Sequence, residues 1–94
     1  MTIIVKFVGS LRHVSGVNEL ALNHKECSSV KKIIIEIARE LPKLERSLID
    51  PQFEALRTSA LIIVNGREIS VLNGLETNVK DGDEVVLVPV VHGG

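Results

Sequence analysis

One amphipathic stripe constrains this chain more than any other feature. Val30, Ile33, Ile34, Ile37, Ala38 and Leu41 fall at i, i+3, i+4, i+7, i+8 and i+11, a continuous apolar face of one helix. Ser28 and Ser29 stand ahead of it, and either hydroxyl can cap the helix N-terminus. Pro42 follows the stripe and stops it, because the residue before a proline is pushed out of the α region. The spacing predicts a helix over 29–41. Ile35 lies off the stripe and is expected to be exposed or covered by the segment that follows.

The remaining apolar residues carry the period of strands. Thr2 to Phe7 is short and β-branched, with Ile3, Val5 and Phe7 on one face. Val8 to Gly16, with Gly9, Ser10, Ser15 and Gly16, must turn the chain. Residues 17–22 set Leu20 and Leu22 against Val17, Glu19 and Ala21, which suits a second strand in a hairpin with the first. Past the helix, Leu44, Leu48 and Ile49 suggest a short helical turn before Asp50-Pro51, and 52–59 reads as a connector.

Ala60 to Val64 is wholly apolar and reads as a strand buried on both faces or nearly so. Asn65-Gly66 is the preferred dipeptide for a two-residue hairpin loop, so Arg67 to Val71 can pair back as a short edge strand. Turns at Asn73-Gly74 and at 80–83 flank Leu75 to Val79. The run Val85 to Val88 places the last strand, Glu84 to Pro89, at the centre of the sheet. The helix crossover makes it parallel to the first strand. The order is ββαββ.

Composition excludes several function classes. A chain of 94 residues forms one domain with a single core. A net charge of −1, no Trp or Tyr and only two Phe leave neither a basic surface for phosphates nor a platform for stacked bases, so no direct nucleic-acid partner is expected. The single cysteine, Cys27, rules out a disulfide framework or a cysteine cluster, fits a reducing cytosol, and reads as a small residue ahead of the helix. No apolar run is long enough to span a membrane and no signal-peptide pattern opens the chain, so a cytoplasmic protein without a membrane partner is expected.

No set of side chains here reads as a catalytic centre. His13, His24 and His92 are far apart and lack ligand-spaced partners; His13 and His24 read as solvated surface. Asp81, Asp83 and Glu84 read as turn residues, since one tight turn does not supply the six or more oxygens a calcium site takes. Lys31, Lys32 and Arg39 read as the solvated face of the helix. No metal site and no stably bound cofactor are expected.

The reactive feature is the tail, Val90-Val91-His92-Gly93-Gly94, directly off the last strand. Two residues without Cβ can enter a slot too narrow for any other amino acid. A terminal carboxylate on Gly94 is ionised at neutral pH, with a pKa of roughly 3.3–3.7, and is a poor electrophile until a partner activates it. The expected organisation is a body over 1–89 and a flexible tail over 90–94. Because the tail leaves the last strand, a partner must dock near Pro89; Arg12, Leu72 and Leu75 are the candidate interface residues, and Val90, Val91, His92 and Gly93 the candidate recognition residues of the tail.

A ββαββ chain with Val64-Asn65-Gly66, then Asp81-Gly82-Asp83-Glu84-Val85, a short apolar strand with Pro89, and a Gly-Gly end resembles the ThiS/MoaD-like sulfur carriers. Phe7 followed by Leu11-Arg12 and Gly16 is similar to the other motif of MoaD-type proteins. The last thirty residues look most like archaeal MoaD-like proteins. Residues 42–59 run longer than in the compact bacterial small subunits, and Val90 stands where many MoaD proteins carry a second proline. His92 before the glycines is like the ubiquitin-related modifier family.

The resemblance implies an α+β, β-grasp (ubiquitin-like) fold, with one main helix on a mixed sheet of four to five strands. It implies a co-substrate rather than an enzyme. A ubiquitin-activating-type adenylating enzyme would use ATP to form an acyl-adenylate on Gly94, and a sulfurtransferase would convert this to a thiocarboxylate. The sulfur would pass to a molybdopterin precursor in a synthase large subunit, for molybdenum cofactor biosynthesis, or to a tRNA base through a thiolase. Two alternatives stand beside it: a ubiquitin-like modifier joined to lysines through Gly94, and a β-grasp interaction module.

Overall fold

The structure, a computed structural model, describes residues 2–23, 28–48 and 60–89. Strands β1 (Thr2–Phe7), β2 (Glu19–Asn23), β4 (Ala60–Val64), β5 (Arg67–Glu68) and β7 (Glu84–Pro89) form one mixed sheet in the order β2-β1-β7-β4-β5. The central pair is parallel, Ile4 beside Glu84 through Phe7 beside Leu87, as the crossover requires. The other pairs in this sheet are antiparallel.

Helix α2 (Val30–Glu40) crosses one face of the sheet. Ser29 is its N-cap, its hydroxyl accepting from the Lys32 N–H at 3.3 Å. Val30, Ile33, Ile34, Ile37 and Ala38 are buried, and Leu41 packs on the core from just past the helix end. Ile35 is half-buried. Beneath the stripe lie Ile3, Val5, Phe7, Leu22, Ile62, Val64, Val85 and Leu87. A 3-10 turn at Pro42–Leu44 and the short helix α3 (Glu45–Leu48) close one end of the core with Leu44 and Leu48, as their spacing predicts. Ile49 and the connector 52–59 lie outside the described residues.

Four local features differ from the sequence expectation. The turn after β1 contains a six-residue helix, α1 (Ser10–Ser15), anchored by the buried Leu11 and ended by Gly16 at φ 79°. The second strand begins at Glu19 rather than Val17, because the chain is still closing that turn, with the Ser15 hydroxyl bonded to the Val17 carbonyl. The pairing after Asn65-Gly66 lasts only through Glu68, and a 3-10 turn at Ile69–Val71 follows. Strands β4 and β7 are buried on alternate residues rather than on both faces: Leu61 is 43% exposed, while Ala60, Ile62 and Val64 are buried.

A two-stranded ladder joins β3 (Ser28–Ser29) to β6 (Asn78–Val79) below the helix N-terminus, where the Val30 N–H donates to the Thr77 carbonyl at 2.8 Å. The Ser28 hydroxyl is buried there without a hydrogen-bond partner among the described residues. A buried polar group without a partner costs about 1–3 kcal/mol, and an apolar replacement of similar shape avoids that. Ser28→Ala is therefore expected to raise stability by about 1 kcal/mol in urea unfolding. A clear loss would show that the hydroxyl has a partner after all.

Candidate functional site

The root of the tail is fixed by two contacts. The Val8 N–H donates to the Leu87 carbonyl at 3.2 Å, extending the β1–β7 ladder past Phe7. Gly9 then takes φ 61° and ψ −134°, a region open essentially to glycine, and starts α1 over Pro89. A Cβ at Gly9 would stand 3.1 Å from Pro89 Cγ, so the glycine also supplies the clearance that seats the turn against the strand end. The Phe7–Gly9 segment and the N-terminal end of α1 thus lie beside the last described residue before the tail.

The start of β7 is held equally firmly, by the acidic turn. Asp83 is buried, and its carboxylate accepts from the Lys80 N–H at 2.8 Å and from Asn65 Nδ2 at 2.9 Å. Asn65 also accepts from the Glu84 N–H at 2.9 Å. Asn65 itself has φ 50° and Gly66 φ 83°, the paired positive values of the tight hairpin turn that this dipeptide favours. The Asp81 carboxylate accepts from the Thr2 N–H at 2.6 Å. All these acids serve the turn. Together they clamp two loops to the start of the strand that carries the tail.

The sheet face opposite α2 is apolar along β7. Register puts Val86 between Lys6 and Ile63, and Val88 beside Leu61, with Val8 next along β1. Val8 is 38% exposed, and Val86, Val88 and Ile63 are half-buried. No described element covers them. Lys6 borders this strip and bonds Glu84 at 2.9 Å; that hydrogen bond, and then the charge of Glu84, holds the ammonium above its ordinary pKa. Both side chains are nearly half-exposed, so the pair contributes little to stability.

Arg12 is exposed on α1 near the root of the tail. Leu72 and Leu75 are half-buried against the core from the 3-10 segments after β5, the latter at Gly74–Glu76. Val90, Val91, His92, Gly93 and Gly94 lie outside the described residues. The open-face residues Val8, Leu61, Val86 and Val88 escaped the sequence reading, because four apolar residues in a row look the same whether one face or both are covered. Glu84 and Lys6 at the border were the available signal, since a strand buried on both faces does not keep a charge in its first pair.

This architecture, a helix across a mixed five-stranded sheet with parallel central strands, is the β-grasp fold of ubiquitin-like proteins. The ThiS family matches residues 5–94, and the chain belongs to that family, a group of sulfur carriers and ubiquitin-like small modifiers. A sulfur carrier protein of Archaeoglobus fulgidus is 58% identical over 33 residues, which span 35% of this chain and only 38% of that protein. Small archaeal modifier protein 3 of Haloferax volcanii is 27% identical over 94 residues, all of both chains. The solution structure of small archaeal modifier protein 1 from Methanosarcina acetivorans superimposes with a TM-score of 0.85 at 32% identity, covering 99% of this chain and 96% of that one.

Proposed function

We propose that this protein is a sulfur carrier whose Gly94 carboxylate is adenylated and then converted to a thiocarboxylate. The family match running through residue 94 is the observation that carries the reading. An ionised carboxylate resists nucleophiles. Attack of one of its oxygens on the α-phosphorus of ATP releases pyrophosphate and leaves an acyl-adenylate. The terminal sulfur of a sulfurtransferase persulfide then displaces that oxygen, which departs with AMP, leaving an acyl disulfide. A second thiol attacks the enzyme's sulfur, forming a disulfide and releasing the thiocarboxylate. ATP is held by the adenylating enzyme, and this chain supplies the acyl group. Sulfur delivery to a molybdopterin precursor or to a tRNA base is the use that follows.

Residues 90–94 are the arm that enters the partner's site, reaching at most about 18 Å beyond Pro89. The strip of Val8, Val86, Val88, Leu61 and Ile63 beside its root is where the adenylating enzyme docks, with Arg12 at the rim. Truncating a central residue of an interface commonly costs more than 1 kcal/mol. Val88→Glu is expected to raise KM for the carrier in ATP–pyrophosphate exchange at least about tenfold with kcat little changed. The half-exposed position predicts little loss of thermal stability. An unchanged KM would remove this face from the interface.

A second reading is favoured by the end-to-end similarity to an archaeal modifier protein. A substrate lysine, instead of sulfur, attacks the adenylate and forms an isopeptide bond to Gly94. Intact-mass analysis separates the two after co-expression with the adenylating enzyme and sulfurtransferase of the same genome. A carrier gains one sulfur in place of one oxygen, whereas a modifier appears in ladders on other proteins. A chain that emerges unchanged would leave only an interaction module.

A further inference from the structure

The outer edge of β2 forms one wall of a groove that the chemistry of the tail does not use. Strand β2 ends the sheet order, with only β1 beside it among the described residues. The ladder fixes which of its groups are spoken for. The Phe7 N–H donates to the Asn18 carbonyl, so the bonded pairs with β1 recur at Val5–Leu20 and Ile3–Leu22. The Ile4 N–H accordingly turns the other way and donates to the Asp83 carbonyl. By the same alternation, the N–H and C=O groups of Glu19, Ala21 and Asn23 point outward from the sheet.

Beside this edge is a groove of about 450 Å³, lined by Ala21, Leu22 and Asn23 on the strand and by Glu36, Arg39 and Glu40 on α2. Two carboxylates flank one guanidinium on the helical wall, while Glu19 lies on the other face of the sheet beside Lys6. An outward row of backbone donors and acceptors two residues apart matches an extended chain and no other common backbone form.

From this edge and groove we infer that the protein binds an extended peptide segment of a partner as an added strand on β2. The segment has small or apolar residues alternating with basic ones. Its backbone pairs with Glu19, Ala21 and Asn23, and its basic side chains, all on the helix side of the added strand, meet Glu36 and Glu40. A second copy of this chain fits less well, because its own β2 would bring Glu36 and Glu40 of both helices together. The site is separate from the tail root and stands whether or not Gly94 is activated. It gives the protein a way to hold one partner at β2 while another works on the tail.

The probe is an acetylated, amidated octapeptide of Gly, three Lys-Val repeats and Gly, titrated into the isotope-labelled full chain by NMR. The expected result is saturable shifts at Glu19, Ala21 and Asn23 and slowed exchange of the Ala21 N–H. The Glu-Val counterpart should bind at least about tenfold more weakly, since like charges oppose it. Ala21→Pro removes an outward N–H and leaves the β1 ladder intact, as proline is tolerated on an edge facing solvent. It should weaken binding at least about tenfold. Glu40→Lys, on the exposed helix surface, should weaken it severalfold even if the proline variant folds poorly. No shift at millimolar peptide, shifts confined to the opposite face, or wild-type binding by Glu40→Lys would overturn the proposal. So would a β2-dependent dimer, which would assign the edge to a second copy.

Discussion

Removal of Gly94 is expected to abolish acyl-adenylate formation while leaving the melting temperature where it was. The deletion moves the reacting carboxylate back by one residue, about 3.3–3.6 Å of extended chain. Reacting atoms must sit about 3–3.5 Å apart, and a misplacement of 1 Å can cost about 100-fold, so the whole step is lost rather than slowed. One residue added after Gly94 errs in the other direction and should fail equally. Gly93→Val keeps the length but sends a side chain into the slot, and it should fail too. All three changes lie beyond Pro89 and leave every residue of the described core as it is, so stability should stay within about 0.5 kcal/mol. Pyrophosphate exchange with the cognate adenylating enzyme reads the first effect and calorimetry the second. Retained exchange by the deleted chain would end the carrier reading.

How much of this was legible beforehand depended on whether a feature is local. The helix stripe, its serine cap and its proline stop are all written within 14 consecutive residues, and α2 appears at Val30–Glu40. Asn65-Gly66 likewise encodes its own turn, because both residues accept positive φ. The central, parallel place of Glu84–Pro89 followed from its apolar run and from the crossover rule.

What was missed depends on partners distant in sequence. Helix α1 has one buried residue, Leu11, too few to show a period. The β3–β6 ladder pairs two residues with two others about fifty positions away. Whether Val86 and Val88 are covered is decided by which face α2 crosses, and nothing in the run Val85–Val88 encodes that. Gly9 could be read as a turn residue, but not as the seat of Pro89, eighty positions further on.

Phe7 carries the largest stability effect expected of a single side chain. It is 1% exposed, is the largest of the fully buried side chains among the described residues, and lies beside Leu87 at the tail end of the parallel pair. Phe→Ala in a core removes the transfer free energy of the ring and leaves a cavity, together about 3–5 kcal/mol. A domain of this size has only about 5–15 kcal/mol in total. For 60–100 residues each kcal/mol shifts the midpoint by about 4–8 °C, so Phe7→Ala should lower it by about 12–40 °C. Val8→Ala, at the next residue but on the open face, should stay within about 0.5 kcal/mol. That contrast between neighbours is the test of one-sided burial. Equal losses at both positions would mean that the face bearing Val8 is covered in the folded protein, and that no partner can dock there without displacing what covers it.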